Sequence, residues 1–121
     1  MGIQVLKALR GAVCSSNQKE AIARGTIELY DTLLTANELT ETDLVSLFFS
    51  VTADLNALNP AAALRQSGRA GELAMMVFQE AAIQDSLPGT IRILIQGYMD
   101  NDKPVKHKYI RGAEKLRPDR I

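Results

Sequence analysis

Residues 75–95 read MMVFQEAAIQDSLPGTIRILI, and the predicted architecture is built around this segment. Two apolar runs of strand length flank a segment rich in Asp, Ser, Pro and Gly, a composition that is typical of turns. The stretch therefore predicts two buried strands, the first over residues 75–80 and the second over residues 90–95.

Each of these strands carries one charged side chain, Glu80 at the end of the first and Arg92 inside the second. The isoleucines of the second strand alternate with Arg92 and Leu94, so the two sets point to opposite faces. A charge among large apolar side chains is costly to bury unless it is paired or meets a ligand. Arg92 is therefore expected to lie on a solvated face, to pair with Glu80, or to bind a ligand.

The rest of the chain predicts two helices and three further strands. Asn17 and Glu20 are spaced as a capping box for the first helix, and Asn59 with Pro60 marks the start of the second. The fold class is α+β (mixed α/β), a single five-stranded mixed sheet with its helices on one face, and its uncovered face favours self-association. The other elements are a strand over 4–9 ended by Arg10 and Gly11, a long amphipathic helix over 18–36, a strand over 44–51, a short helix over 61–66 and a strand over 106–110.

Composition narrows the classes of function that the chain can serve. By its length of 121 residues the chain is one domain, residues 1–121. Lys plus Arg and Asp plus Glu number 14 each, and this zero net charge argues against a nucleic-acid protein. There is no apolar run of membrane-spanning length and no signal-like start, so we expect no membrane partner and a cytoplasmic location.

Cys14 is the only cysteine and His107 the only histidine. One chain therefore cannot form an internal disulfide, a zinc site or a Ser/His/Asp triad. If the protein is an enzyme, its chemistry has to need little proton transfer.

Five groups of short fragments stand in an order and at a spacing that match a known family. Together they resemble the small monofunctional chorismate mutases of the trimeric α/β type, and the resemblance covers nearly the whole chain. The fragments are LRGA at 9–12, TADL at 52–55 with NPAAALR at 59–65, QE at 79–80, SLP at 86–88 with IR at 91–92, and Tyr109 followed by LRPD at 116–119.

This resemblance implies a homotrimer with a barrel-like core and active sites in clefts between neighbouring subunits. It also implies conversion of chorismate to prephenate in aromatic amino-acid biosynthesis, without a cofactor. By position, it implies Arg92 and Glu80 as catalytic residues, and Arg10, Tyr109, Arg65, Met76, Val77 and Arg117 as substrate-binding residues.

The chain departs from the family pattern at the rim of the implied cleft. Asn59 stands where an aromatic residue is expected, and Ala62 where a lysine is expected. Residues 69–71 replace a Gly-Trp region, and the sequence ends without the longer tail of some members. These departures bear on how the cleft closes and leave the central residues in place.

The residues implied by the resemblance suit the implied reaction, in which a carbon–oxygen bond breaks while a carbon–carbon bond forms. The substrate carries two carboxylates, and the breaking bond places negative charge on its ether oxygen. A guanidinium in a dry cleft can meet that charge, and Arg92 is the candidate because its strand fixes its direction. Arg10 would bind a carboxylate through two hydrogen bonds, Glu80 would accept from the ring hydroxyl, and Tyr109 would donate to a carboxylate.

Taken singly, these residues also have ordinary explanations. Arg10 beside a glycine is commonly a solvated turn residue, Glu80 a strand-end acid, and Arg117 part of a solvated tail. His107 is expected on the same strand face as Tyr109, and we assign it no role.

Two other functions stay open, a small trimeric imine deaminase and a trimeric module that binds a carboxylate without reacting. The C-terminal alternation of Val, Glu and Ile that is typical of the deaminases is absent.

Overall fold

The structure, a computed structural model, describes residues 2–117, which form a five-stranded sheet and two α-helices. None of the helices in this part of the chain is long and apolar enough to cross a membrane. The elements are β1 (Gln4–Cys14), α1 (Lys19–Ala36), β2 (Leu44–Val51), α2 (Pro60–Gln66), β3 (Ala74–Gln79), β4 (Thr90–Asp100) and β5 (Lys108–Ile110), with 3-10 turns at Glu41–Asp43 and Ala113–Leu116.

The sheet has the strand order β3-β2-β4-β1-β5, with β4 at its centre. β4 runs antiparallel to both of its neighbours, whereas β3 is parallel to β2 and β5 is parallel to β1. The predicted mixed sheet is confirmed. The two strands that flank the turn in residues 75–95 are not adjacent, because β2 lies between them.

Both helices pack on the same face of the sheet, here called the covered face. Ile91, Ile93 and Ile95 are buried there against apolar side chains of α1 and α2, as their alternation with Arg92 and Leu94 predicts. Burying such side chains stabilises the fold by roughly 1.5–3 kcal/mol each. The covered face therefore holds the hydrophobic core.

β1 is longer than the sequence indicates, and the predicted end at Arg10 and Gly11 is wrong. Gly11 lies inside the strand, where a Cβ atom would come within 2.9 Å of methyl groups of Leu29 and Leu33. The glycine serves the close approach of α1 to the sheet rather than a turn. Arg10 consequently stands on a strand and points away from the helices.

The capping box expected at the start of α1 is also wrong. The N-cap residue is Gln18, and its side chain makes no capping hydrogen bond. The Asn17 side chain instead accepts the N–H groups of Asn56 and Ala57, and so ties the start of α1 to the loop after β2. At α2 the expected cap is confirmed, because Asn59 Oδ1 accepts the N–H of Ala61 at 2.8 Å.

A polar contact holds the segment that leads into the edge strand β3. The Tyr30 hydroxyl donates to Glu41 Oε1 at 2.8 Å, and the same oxygen accepts the N–H of Ala70 at 2.7 Å. Burial, followed by the hydrogen bond to Glu41, raises the pKa of Tyr30 above its ordinary value. The contact joins α1 to the loop between α2 and β3, and thereby fixes where β3 begins.

The opposite face of the sheet, here called the open face, carries no helix in the described part of the chain. Large apolar side chains stand exposed on it, among them Leu6, Met76, Phe78 and Tyr98. Exposed apolar side chains that cluster in this way mark a surface for binding a ligand or another chain.

Candidate active site

Strand register builds a row of side chains across the open face. Arg92 of β4 pairs with Ser50 of β2 on one side and with Ala12 of β1 on the other. Ser50 in turn pairs with Phe78 of β3, and Ala12 with Tyr109 of β5. Because register partners share a face, these five side chains stand side by side on the open face.

A second row lies two residues further along the strands. Arg10 pairs with Leu94, Leu94 with Phe48, and Phe48 with Met76. The two rows surround a cleft of about 440 Å³ on the open face. Its lining includes Arg10, Phe48, Ser50, Phe78, Arg92, Leu94, Tyr109, Leu116 and Arg117.

Arg92, which lines the cleft, forms an ion pair with Glu80. Arg92 Nε lies 2.6 Å from Glu80 Oε1, and the Glu80 side chain is 14% exposed while that of Arg92 is 41% exposed. The Glu80 N–H donates to the Val51 carbonyl, which fixes the acid just beyond the end of β3. Within residues 2–117 the two terminal guanidinium nitrogens of Arg92 have no hydrogen-bond partner. The pair thus anchors Arg92 while leaving two donor groups for a ligand.

The charge of the cleft suits a dianionic ligand. Three of its lining residues are arginines, and Glu80, the acid beside Arg92, is already paired. Arginine stays protonated at all physiological pH values and matches carboxylate geometry with a planar set of donors. The apolar walls, formed by Phe48, Leu94 and Leu116, lower the local dielectric and strengthen these interactions.

The structure brings together five of the eight site residues that the sequence indicates. Arg10, Arg92, Tyr109 and Arg117 line the cleft, and Glu80 is paired with Arg92. The other three, Arg65, Met76 and Val77, lie elsewhere in the same chain.

Those three residues stand around the edge strand β3. Arg65 is exposed near the end of α2, which packs against α1 and β3. Met76 is exposed on the open face but does not line the cleft. Val77 packs against the core on the covered face, so its side chain does not reach the cleft.

Sequence reasoning missed several residues that line or support the cleft. Ser50, Phe48 and Phe78 are on the open face by the alternation of their strands. The sequence does not show that β2 pairs with β4 and β3 with β2, and this pairing brings them to the cleft that Arg92 lines. His107 was assigned no role, yet its Nδ1 accepts the backbone N–H of Arg10 at 2.9 Å. A ring-to-backbone contact of this kind leaves no pattern in the sequence.

A metal site is not built by the part of the chain that the structure describes. No three His, Cys, Asp or Glu side chains of residues 2–117 lie together in a way that could hold an ion. The expectation that the protein works without a metal or other cofactor stays a prediction.

Comparison with known proteins gives one consistent result. A family described as chorismate mutase type I matches residues 6–120. The chain is similar to the chorismate mutase AroH of Thermus thermophilus, with 35% identity over 118 residues that cover 95% of this chain and 96% of the relative. It is also similar to the chorismate mutase AroH of Bacillus subtilis (strain 168), with 27% identity over 118 residues, 95% of this chain and 92% of the relative.

A solved structure agrees with these matches. It is a chorismate mutase from Clostridium thermocellum, which superimposes with a TM-score of 0.85 at 37% sequence identity. The match covers 91% of this chain and 99% of that one. The likeness therefore extends over most of the fold.

Proposed function

This chain belongs to the type I chorismate mutase family and is an isomerase that converts chorismate to prephenate, and we propose that the reaction takes place in the open-face cleft. The activity is a step in aromatic amino-acid biosynthesis. The observation that carries the proposed location is the anchored Arg92, which stands in one cleft with Arg10 and Tyr109.

In this proposal Arg92 stabilises the transition state. As the carbon–oxygen bond breaks, negative charge grows on the ether oxygen, and a donor aimed at that oxygen binds the transition state more tightly than the substrate. The ion pair with Glu80 through Nε leaves the terminal nitrogens of Arg92 to donate. The second carboxylate oxygen of Glu80 would accept from the ring hydroxyl of the substrate.

The other cleft residues hold the substrate in its reactive chair. Arg10 would bind one carboxylate through two hydrogen bonds, and Tyr109 would donate to a carboxylate from β5. Arg117 would contribute a further positive charge at the rim. Fixing a flexible molecule in the reactive geometry lowers the entropic part of the barrier and needs no proton transfer.

A homotrimer would complete the site. Arg65, Met76 and Val77 stand around β3, away from the cleft of their own chain, and the open face exposes Met76 and Phe78. A neighbouring copy that packs its β3 edge over this cleft would bury the apolar side chains and bring Arg65 to the substrate. Val77 would then act through its backbone, because its side chain faces the core.

Purified protein mixed with chorismate tests the activity, since loss of chorismate absorbance follows the reaction directly. We expect prephenate as the only product, and light scattering should give about three times the 13.2 kDa chain mass. Binding of chorismate without turnover would favour the carboxylate-binding trimer, and imine hydrolysis would favour the deaminase. A monomer at micromolar concentration would contradict the shared site.

Mixed trimers test the sharing of the site between chains. Arg92→Ala and Arg65→Ala chains are unfolded and refolded together, and the rate is measured below KM. About one quarter of the clefts should then contain both arginines, since each cleft draws one arginine from each of two chains. A mixture no more active than the mean of the two separate variants would contradict the sharing.

The cytoplasmic location expected from the sequence stays a prediction.

A further inference from the structure

The backbone of Arg10 lies at a break in the pairing of β1 with β5. The parallel ladder covers only Gly11, Ala12 and Val13 of β1, so Arg10 stands one residue beyond it. Its N–H nevertheless has an acceptor, Nδ1 of His107, at 2.9 Å. A ring nitrogen thus stands in for a strand carbonyl beside an arginine of the proposed site.

The backbone that would otherwise accept this N–H is held elsewhere. If the ladder continued by one residue, the carbonyl of Lys106 would accept the Arg10 N–H. That carbonyl instead accepts from Asn37 Nδ2 at 2.9 Å, while the Lys106 N–H donates to Asn37 Oδ1 at 2.8 Å. Asn37 is buried at the C-cap of α1 and so holds this segment against the helix. His107 Nδ1 therefore accepts the Arg10 N–H in place of the Lys106 carbonyl, which is bonded to Asn37.

This contact sets the direction in which Arg10 points. An N–H group donates only to a ring nitrogen without a proton, so His107 is neutral and carries its proton on Nε2. Within residues 2–117 the Arg10 guanidinium has no hydrogen-bond acceptor, and its side chain is exposed at the cleft. The backbone contact with His107 therefore sets the direction in which the Arg10 side chain leaves the strand toward the cleft.

We propose that His107 is a positioning residue for Arg10: its Nδ1 holds the Arg10 backbone so that the guanidinium is aimed at a substrate carboxylate. This inference rests on the proposed function of the cleft. It assigns no chemical step to the histidine, which acts only through the arginine. Because carboxylate binding is equal in the ground state and the transition state, the contribution should appear in KM and not in kcat.

Two substitutions separate positioning from general packing. His107→Asn keeps an acceptor the same number of bonds from Cβ as Nδ1, whereas His107→Leu keeps volume and removes the acceptor. We expect His107→Leu to raise KM for chorismate roughly fivefold, the effect of losing one hydrogen bond, with kcat changed less than twofold. His107→Asn should restore most of the wild-type KM.

A double-mutant cycle with Arg10→Ala provides the control. If His107 acts through Arg10, adding His107→Leu to Arg10→Ala should leave KM unchanged, because the group that the histidine positions is already absent. Additive effects in the cycle, an unchanged KM for His107→Leu, or a loss that His107→Asn does not restore would each overturn the proposal.

A measurement on the wild-type protein keeps the proposal open to refutation if His107→Leu does not fold. In 15N-labelled protein, NMR should detect scalar coupling across the hydrogen bond between the Arg10 amide nitrogen and His107 Nδ1. An absent coupling with a protonated Nδ1 would overturn the contact. Wild-type protein that does not consume chorismate would refute the proposed function itself, whereas an active enzyme indifferent to His107 would refute only this inference.

Discussion

The two faces of the sheet are built from alternate residues of the same strands, yet they hold different kinds of side chain. On β4, Ile91, Ile93 and Ile95 are buried beneath the helices, whereas Arg92 and Leu94 between them line an open cleft. Along β4, one set of alternate side chains therefore forms part of the core, and the other set forms part of the cleft. If this comparison holds, substitutions on the covered face should change stability, and substitutions on the open face should change kinetics.

The largest effect is expected on the covered face, for Ile95→Ala. Ile95 is fully buried and does not line the cleft, so the substitution removes apolar contacts and leaves a cavity. We expect the free energy of unfolding to fall by about 2–5 kcal/mol in urea titrations at one protein concentration. The protein that remains folded should keep a kcat close to wild type. A large fall in kcat at unchanged stability would break the comparison.

Arg10→Ala should have the largest effect on substrate binding, on the open face. The side chain is exposed and packs against no core residue, so circular dichroism and the urea midpoint should stay unchanged. Losing two hydrogen bonds to a carboxylate should raise KM for chorismate roughly 10²-fold while kcat changes much less. If Arg10→Ala instead unfolds the protein, the strand needs this arginine for folding and the separation of the two faces fails.

Arg117→Ala should act in the same direction but more weakly. Arg117 lines the cleft from the segment after the last 3-10 turn, outside the sheet. We expect KM to rise roughly tenfold, near the lower limit for a hydrogen bond to a charged group, at constant kcat. Steady-state kinetics measure both constants, and a fall in kcat larger than that of Arg92→Ala would show that the catalytic role belongs to Arg117.

The smallest effect is expected for Glu28→Gln, on the surface of α1. Arg111 Nε donates to Glu28 Oε1 at 2.8 Å, and this hydrogen bond lowers the pKa of the Glu28 carboxyl. A lowered pKa in the folded state means that the pair stabilises the fold above the ordinary value of 4.5 and loses this effect as the pH falls through the lowered value. Because the pair is largely exposed, the urea midpoint at pH 7 should change very little. Any difference should shrink as the solution is made more acidic.

Alternation along the strands made much of this fold predictable. It placed Arg92 opposite the isoleucines and gave the bounds of β2, because sheet geometry has a period of two residues. The contacts between residues far apart in the sequence were harder to predict. The sequence predicts a turn at Gly11 because it does not show that α1 approaches the sheet there. It predicts a cap at Asn17 because the partners of this side chain lie about 40 residues away.

The site was predictable only in part. Glu80 and Arg92 stand out locally as charges in apolar runs, whereas Arg10 and Tyr109 were found through family resemblance. Ser50 and His107 were missed because their positions depend on strand pairing and on the Asn37 contact with Lys106. Arg65, Met76 and Val77 were found through the same resemblance, and in the folded chain they lie outside the cleft.

The kcat of Arg92→Ala tests the central claim most directly, with Ile91→Ala, the adjacent residue on the covered face, as its matched control. We predict that folded Arg92→Ala loses about 10²- to 10³-fold in kcat, the usual effect of removing one preorganised donor. Arg92→Lys should recover only part of the loss, because an ammonium group cannot donate along two fixed directions in one plane. Ile91→Ala should lose stability while its folded fraction keeps the wild-type kcat. A folded Arg92→Ala protein that turns over chorismate at the wild-type kcat would contradict the assignment of catalysis to the open face.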